Sequence, residues 1–240
     1  MRSGRLGIGV LFISALLNSF AQADPKVEEQ ILAPAGNGSS IIISEHGVHV
    51  AVVGLNGSRM GVSIDGVAGP VVDQILLPNG QPFGGGNTVG VSTVGDIALP
   101  VLFSPNGDHY AYAAKIGNDA VIFHDGKEIT RGPYNASVLN FGPLCFSPSG
   151  KHLFFILTDT AGGVKRQFMM DGKPVSILPQ ENPPAVYFSP DESRYMYYAM
   201  SEDHSRSTLV VDGKDSGYFG NHLRFSSDNK VLCVNVVNGK

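Results

Sequence analysis

The 240-residue chain contains no tryptophan and only two cysteines, and just 16% of its residues are charged. Each scarcity excludes something. Lys and Arg number 17 against 21 Asp and Glu, a net charge of −4 with the two signs interspersed, so the basic footprint of a nucleic-acid binder is missing. Beyond the N-terminal region no apolar stretch approaches the ~20 residues of a membrane-spanning helix. No Gly-x-Ser-x-Gly elbow occurs, which excludes a serine-hydrolase domain of that type. Gly84-Gly85-Gly86 is followed neither by Gly-Lys-Ser/Thr nor by a helical pattern, so it reads as a loop rather than a phosphate cradle. Cys145 and Cys233 occupy different places in their surrounding sequence pattern, and a bridge needs Cα atoms within about 7 Å. Two buried free thiols are therefore expected in preference to a disulfide.

What is present begins with Arg2 and Arg5, an apolar run from Leu6 to Leu17, and Ala21-Gln22-Ala23. This three-part layout predicts a signal peptide over 1–23 and an extracytoplasmic protein, periplasmic or secreted. No cysteine follows the small-residue site, so no lipid anchor is expected. Residues 24–240 suffice for one all-β domain.

The domain is repetitive. Phe103-Ser104-Pro105 recurs as Phe146-Ser147-Pro148 and Phe188-Ser189-Pro190, and as Phe225-Ser226. Asp-Gly pairs stand at Asp65, Asp125, Asp171 and Asp212. A period near 40 residues with several short strands is that of a propeller blade. Ser-Pro-x-Gly suits a type I turn, and Asp-Gly supplies the two positive-φ residues of a tight hairpin. Each repeat thus reads as four antiparallel strands, A to D. Apolar runs such as Leu153–Leu157 and Tyr195–Ala199 show no alternation, as expected of strands covered on both faces. The predicted fold class is an all-β propeller of about five blades: 40–97, 98–141, 142–184, 185–221 and a partial 222–240. The segment 26–32 is a candidate outer strand for closing the ring.

Together, the Phe-Ser-Pro-x-Gly turn and the downstream Asp-Gly-Lys resemble the WD40-like, TolB-type propeller repeat, from about Ser40 to Lys240. That resemblance implies a propeller and no particular activity. The Gly-His and Trp-Asp pairs of true WD40 repeats are missing.

The A–B and C–D turns fall on one face of such a disc, and the longer polar loops gather on the other. Lys115, Asn118 and Asp119, then Lys165 and Arg166, then Asp203, His204 and Arg206 mark that loop face as the expected partner-binding surface. The insertion Pro78–Asp96 is expected there too, as a D-to-A loop. The seven histidines look scattered and suggest no metal spacing, so no catalytic residue, cofactor or metal is expected. The functional expectation is a non-catalytic scaffold for a protein or peptide. The alternatives are a propeller hydrolase acting on lactones or glycans, or a truncated propeller; an open ring would favour oligomers.

Overall fold

The computed structural model describes residues 39–46, 48–78, 80–84, 89–92, 99–134, 141–159, 165–178, 186–200, 207–217 and 223–233. Among them there is no helix long and apolar enough to cross a membrane, and the regular structure is entirely strand. The signal-peptide segment and the candidate closing strand 26–32 lie outside the described residues.

Blade 1 comprises β1 (Ser40–Ser44), β2 (Val50–Asn56), β3 (Arg59–Ile64) and β4 (Val67–Val72). Two short strands follow, β5 (Gln74–Leu76) and β6 (Val89–Ser92). Blade 2 comprises β7 (Leu102–Phe103), β8 (Tyr110–Ile116), β9 (Asp119–His124) and β10 (Lys127–Pro133). Blade 3 holds β11 (Phe141–Phe146), β12 (Leu153–Asp159), β13 (Lys165–Met170) and β14 (Lys173–Leu178). Blade 4 holds β15 (Val186–Phe188), β16 (Tyr195–Met200), β17 (Ser207–Val211) and β18 (Lys214–Asp215). A last pair, β19 (Leu223–Phe225) and β20 (Val231–Cys233), begins a fifth blade. The protein is thus an all-β propeller of four-stranded antiparallel blades, the fifth incomplete among the described residues.

The turns form for the local reasons visible in the sequence. Asp65, Asp125, Asp171 and Asp212 have φ of 50°, 48°, 50° and 50°, and each following glycine is also at positive φ. A two-residue hairpin of that geometry matches strand twist. In the A–B turn the amide of Gly107 donates to Ser104 O at 2.8 Å, and Gly150 repeats this with Ser147.

Blades stack face to face, which explains the absence of alternation in the apolar runs. Along β8, Tyr112 and Ala114 pack in a core shared with Ile42, Val53 and Val62 of blade 1. The intervening Ala111 and Ala113 join Leu153 and Phe155 of blade 3. Along β12, Leu153 and Phe155 face blade 2, whereas Ile156 joins Tyr197 and Val210 of blade 4. Met196 and Leu209 then cover Phe225 and Val231 of the fifth unit. Each such large apolar side chain contributes about 1.5–3 kcal/mol by leaving water.

The insertion departs from the expected D-to-A loop. Straight after β4 the chain crosses to blade 2, where β5 pairs with the upper half of β8, Leu76 opposite Ala113. It then returns to blade 1, where β6 adds a parallel strand beside β1, Ile41 opposite Val89. Only then does β7 complete the A position of blade 2, pairing Leu102 with Ala111. The A position of blade 2 is therefore built from two segments, with a strand of blade 1 between them. The reason is physical: Gln74-Ile75-Leu76 buries Ile75 and Leu76 completely, and β8 offers that cover.

Candidate functional site

On the turn face, one hydrogen-bonding unit recurs. In blades 2 to 4 the serine that opens the A–B turn accepts from the amide five residues later: Ser104 Oγ from His109 N at 2.9 Å, Ser147 Oγ from His152 N at 3.0 Å, Ser189 Oγ from Arg194 N at 3.0 Å. The aspartate of the Asp-Gly turn then reaches the start of strand B. Its Oδ1 accepts from Val50 N (Asp65, 2.9 Å), Tyr110 N (Asp125, 3.0 Å), Leu153 N (Asp171, 2.9 Å) and Tyr195 N (Asp212, 3.1 Å). Its Oδ2 meets a side chain: His49 Nδ1 at 2.6 Å, His109 Nδ1 at 2.7 Å, His152 Nδ1 at 2.8 Å, or Arg194 Nε at 2.9 Å. These aspartates, read in the sequence as turn formers, also clamp the two turns of each blade together.

The same histidines reach the next blade. His49 stacks on Phe103 at 6.3 Å between centroids, His152 stacks on Phe188 at 6.2 Å, and the Arg194 guanidinium lies 5.9 Å over Phe225. This accounts for the phenylalanine of three Phe-Ser anchors; the fourth, Phe146, packs instead on His124, 5.7 Å between ring centroids. Turn meets turn as well. A Cβ on Gly150 would stand 2.6 Å from Asn106 Oδ1 of blade 2, and Glu192 of blade 4 reaches back into blade 3. Glu192 is 93% buried, and its carboxylate accepts from Ser147 Oγ at 2.7 Å, Ser149 N at 2.7 Å and Ser149 Oγ at 2.6 Å. Burial alone would raise its pKa; the bonds from Ser147 and Ser149 outweigh that and hold it below the ordinary glutamate value.

Blade 2 breaks the pattern. Before its Asp-Gly pair stands His124, where the other blades carry Ile64, Met170 and Val211. His124 Nε2 lies 3.6 Å from Asp125 Oδ2, and its ring lies 5.5 Å from that of His109. The three residues offer ligand atoms all within 4.8 Å of one another. Desolvation lowers the His124 pKa and favours the neutral imidazole. The histidines, treated as scattered in the sequence, are thus in register. Their signal was a fixed interval of five from Ser44, Ser104 and Ser147.

On the loop face, Lys115, Asn118 and Asp119 do come together, on the two-residue turn between β8 and β9. Their groups are engaged within the blade. Asp119 Oδ2 accepts from Arg131 Nη1 at 2.9 Å, Lys115 Nζ sits 5.6 Å over the Tyr134 ring, and Asn118 O accepts from Tyr134 N at 2.8 Å. Lys165 and Arg166 begin β13 of the next blade, with Arg166 half-buried and opposite Thr158. Asp203, His204 and Arg206 lie outside the described residues. Cys145 is a half-buried free thiol whose pKa burial pushes up to about 11.

A second departure lies at the outer edge of blade 1. In β4, Val67 to Val72 carry no charge, whereas β10, β14 and β18 each carry at least one. Val67 is 73% exposed, and β4 pairs only with β3 among the described strands. Beneath it opens a crevice of about 240 Å³ lined by Val62, Ile64, Pro70, Tyr110 and Tyr112, among others. Tyr112 is 2% exposed, and its hydroxyl has no hydrogen-bond partner among the described residues.

No family model and no curated protein matches the chain. Among solved structures it is similar to hydrazine synthase from Kuenenia stuttgartiensis, at 14% identity over 94% of this chain and 59% of that one, with a TM-score of 0.30. It is also similar to TolB from Acinetobacter baumannii, at 16% identity over 74% and 41% of the two chains and a TM-score of 0.32. A nidogen/laminin complex gives 12% identity, 78% and 65% coverage, and a TM-score of 0.30. The chain therefore spans 59% and 41% of the lengths of the first two. The fold assignment rests on strand order and blade stacking.

Proposed function

We propose that the protein is an exported, non-catalytic scaffold that binds an extended segment of a protein or peptide along β4. Export is supported by the N-terminal charge, apolar core and small-residue site. The observation that carries the binding reading is the uncharged, exposed edge of β4 above its crevice. Sheet edges are templates for a further strand, and native proteins blunt them with charge, proline or bulges; β4 lacks the first, and its Pro70 removes one donor from the edge. Main-chain pairing would supply affinity, and the crevice would take one side chain, with the Tyr112 hydroxyl available to a polar atom on it. The loop face is a second candidate surface of this scaffold, and Lys115 and Arg166 are half-exposed cations on it among the described residues.

Panning a displayed random-peptide library against the full chain tests the reading. Enrichment of peptides with alternating apolar residues is expected. Binding should be lost in Val67→Lys/Val71→Lys and kept in Lys115→Ala/Arg166→Ala. The reverse pattern would move the site to the loop face. No enrichment, together with turnover of a lactone or glycoside panel, would replace the scaffold by a hydrolase.

A further inference from the structure

We propose that the turn face of blade 2 holds a divalent transition-metal ion of the zinc class, bound by His109, His124 and Asp125. Blades 1 and 3 make the same histidine–aspartate clamp without a second imidazole, using Ile64 and Met170 where blade 2 has His124. The turn itself therefore does not require an imidazole here, although the His124 ring also packs 5.7 Å from Phe146 of blade 3. Its Nε2 is buried and makes no hydrogen bond within 3.5 Å among the described residues, Asp125 Oδ2 standing 3.6 Å away with room for an ion between.

The geometry fits an ion. Imidazole nitrogens and carboxylate oxygens bind zinc at about 2.0–2.2 Å, so ligand atoms in a tetrahedral site lie roughly 3.4 Å apart. The separation from His124 Nε2 to Asp125 Oδ2 is 3.6 Å, and the 2.7 Å contact from His109 to the same oxygen needs only to open slightly. Asp125 Oδ1 is held by the Tyr110 amide at 3.0 Å, which fixes the carboxylate with Oδ2 toward both rings. His109 and Asp125 are each about two-fifths exposed, so the ion has an entry path and a position left for water. Two imidazoles and one carboxylate suit zinc, copper or nickel, whereas calcium and magnesium prefer all-oxygen sites.

The test uses the full chain stripped with chelator. Titration calorimetry with zinc chloride should give one site, and zinc should raise the melting temperature while calcium and magnesium do not. His124→Ile, which installs the residue of blade 1, should fold and lose both zinc effects; His152→Ala, in the clamp lacking a second imidazole, should keep them. Cobalt should give the wild type a tetrahedral visible spectrum, a readout that needs no variant. Zinc binding unchanged in His124→Ile, or no zinc heat and no tetrahedral cobalt spectrum in the wild type, would overturn the proposal.

Discussion

The seam between blades 1 and 2 and the seam between blades 3 and 4 use the same position in opposite ways. In blade 4, the buried Tyr197 hydroxyl is hydrogen-bonded to Ser176 on β14 of the preceding blade. Tyr112 is its counterpart in blade 2, one residue into β8 beyond Ala111. The place of Ser176 on the preceding outer strand is taken by Pro70, which has no hydroxyl and no N–H. Val175, one residue earlier, is likewise replaced by Gly69, which opens space above the ring. One seam is therefore closed by side-chain size and a hydroxyl pair. The other is left as a crevice with an unpaired phenol. Sites can arise in a repeat protein by omitting a structural contact from one copy.

The largest effect should come from breaking the closed seam. Phe168 is 1% exposed and packs 5.2 Å from Tyr197, so Phe168→Ala should remove about 3–5 kcal/mol, read by chemical denaturation. Glu192→Ala comes next. It leaves Ser147 and Ser149 without their partner and should cost about 1–3 kcal/mol, whereas the turn of blade 2 carries Gly107 at this position and has no such bond to lose. Acid should act in the same direction. Because the folded-state pKa of Glu192 is lowered, its contribution is present above the unfolded value and is lost as pH falls through the folded one. A melting-temperature profile from pH 6 down to 3 should show a drop in the wild type that is smaller in Glu192→Gln.

The hydroxyl pair gives a finer contrast. Ser176→Ala should destabilise by about 1–3 kcal/mol by orphaning Tyr197, while Tyr112→Phe should be neutral or slightly stabilising, since its hydroxyl has nothing to lose. Equal losses in the two variants would mean that the Tyr112 hydroxyl is bonded. Smallest of all, Pro70→Ser should restore a partner to Tyr112 and gain about 0.5–1.5 kcal/mol, with weaker peptide binding at the crevice.

Much of the fold was legible because its determinants are local. Ser-Pro-x-Gly and Asp-Gly specify turns through φ preferences of a few residues, and unalternating runs such as Tyr195–Ala199 specify cover on both faces. The path of Gln74–Leu76 was not legible, since an adjacent apolar pair such as Ile75-Leu76 suits either blade and only the burial offered by β8 decides. The candidate sites were read poorly for a related reason. Lys115, Asn118 and Asp119 are close in sequence and were found together. His109, His124 and Asp125 are drawn into one cluster by a hairpin register, and the unpaired Tyr112 becomes visible only when Pro70 is seen across the seam. The five-residue interval from serine to histidine was the one cue available.

The split A position of blade 2 has a consequence for the order of assembly. Blades 3 and 4 are chains of consecutive hairpins and can form from contiguous sequence as soon as each repeat exists. Blade 1 needs β6, whose Val89 pairs with Ile41, and blade 2 cannot finish its A position until Leu76 has joined Ala113. Pairings of such sequence separation carry a loop-closure cost that slows folding. The N-terminal pair of blades should therefore mature as a single interlocked unit and lag behind blades 3 and 4, although its residues come first in the chain.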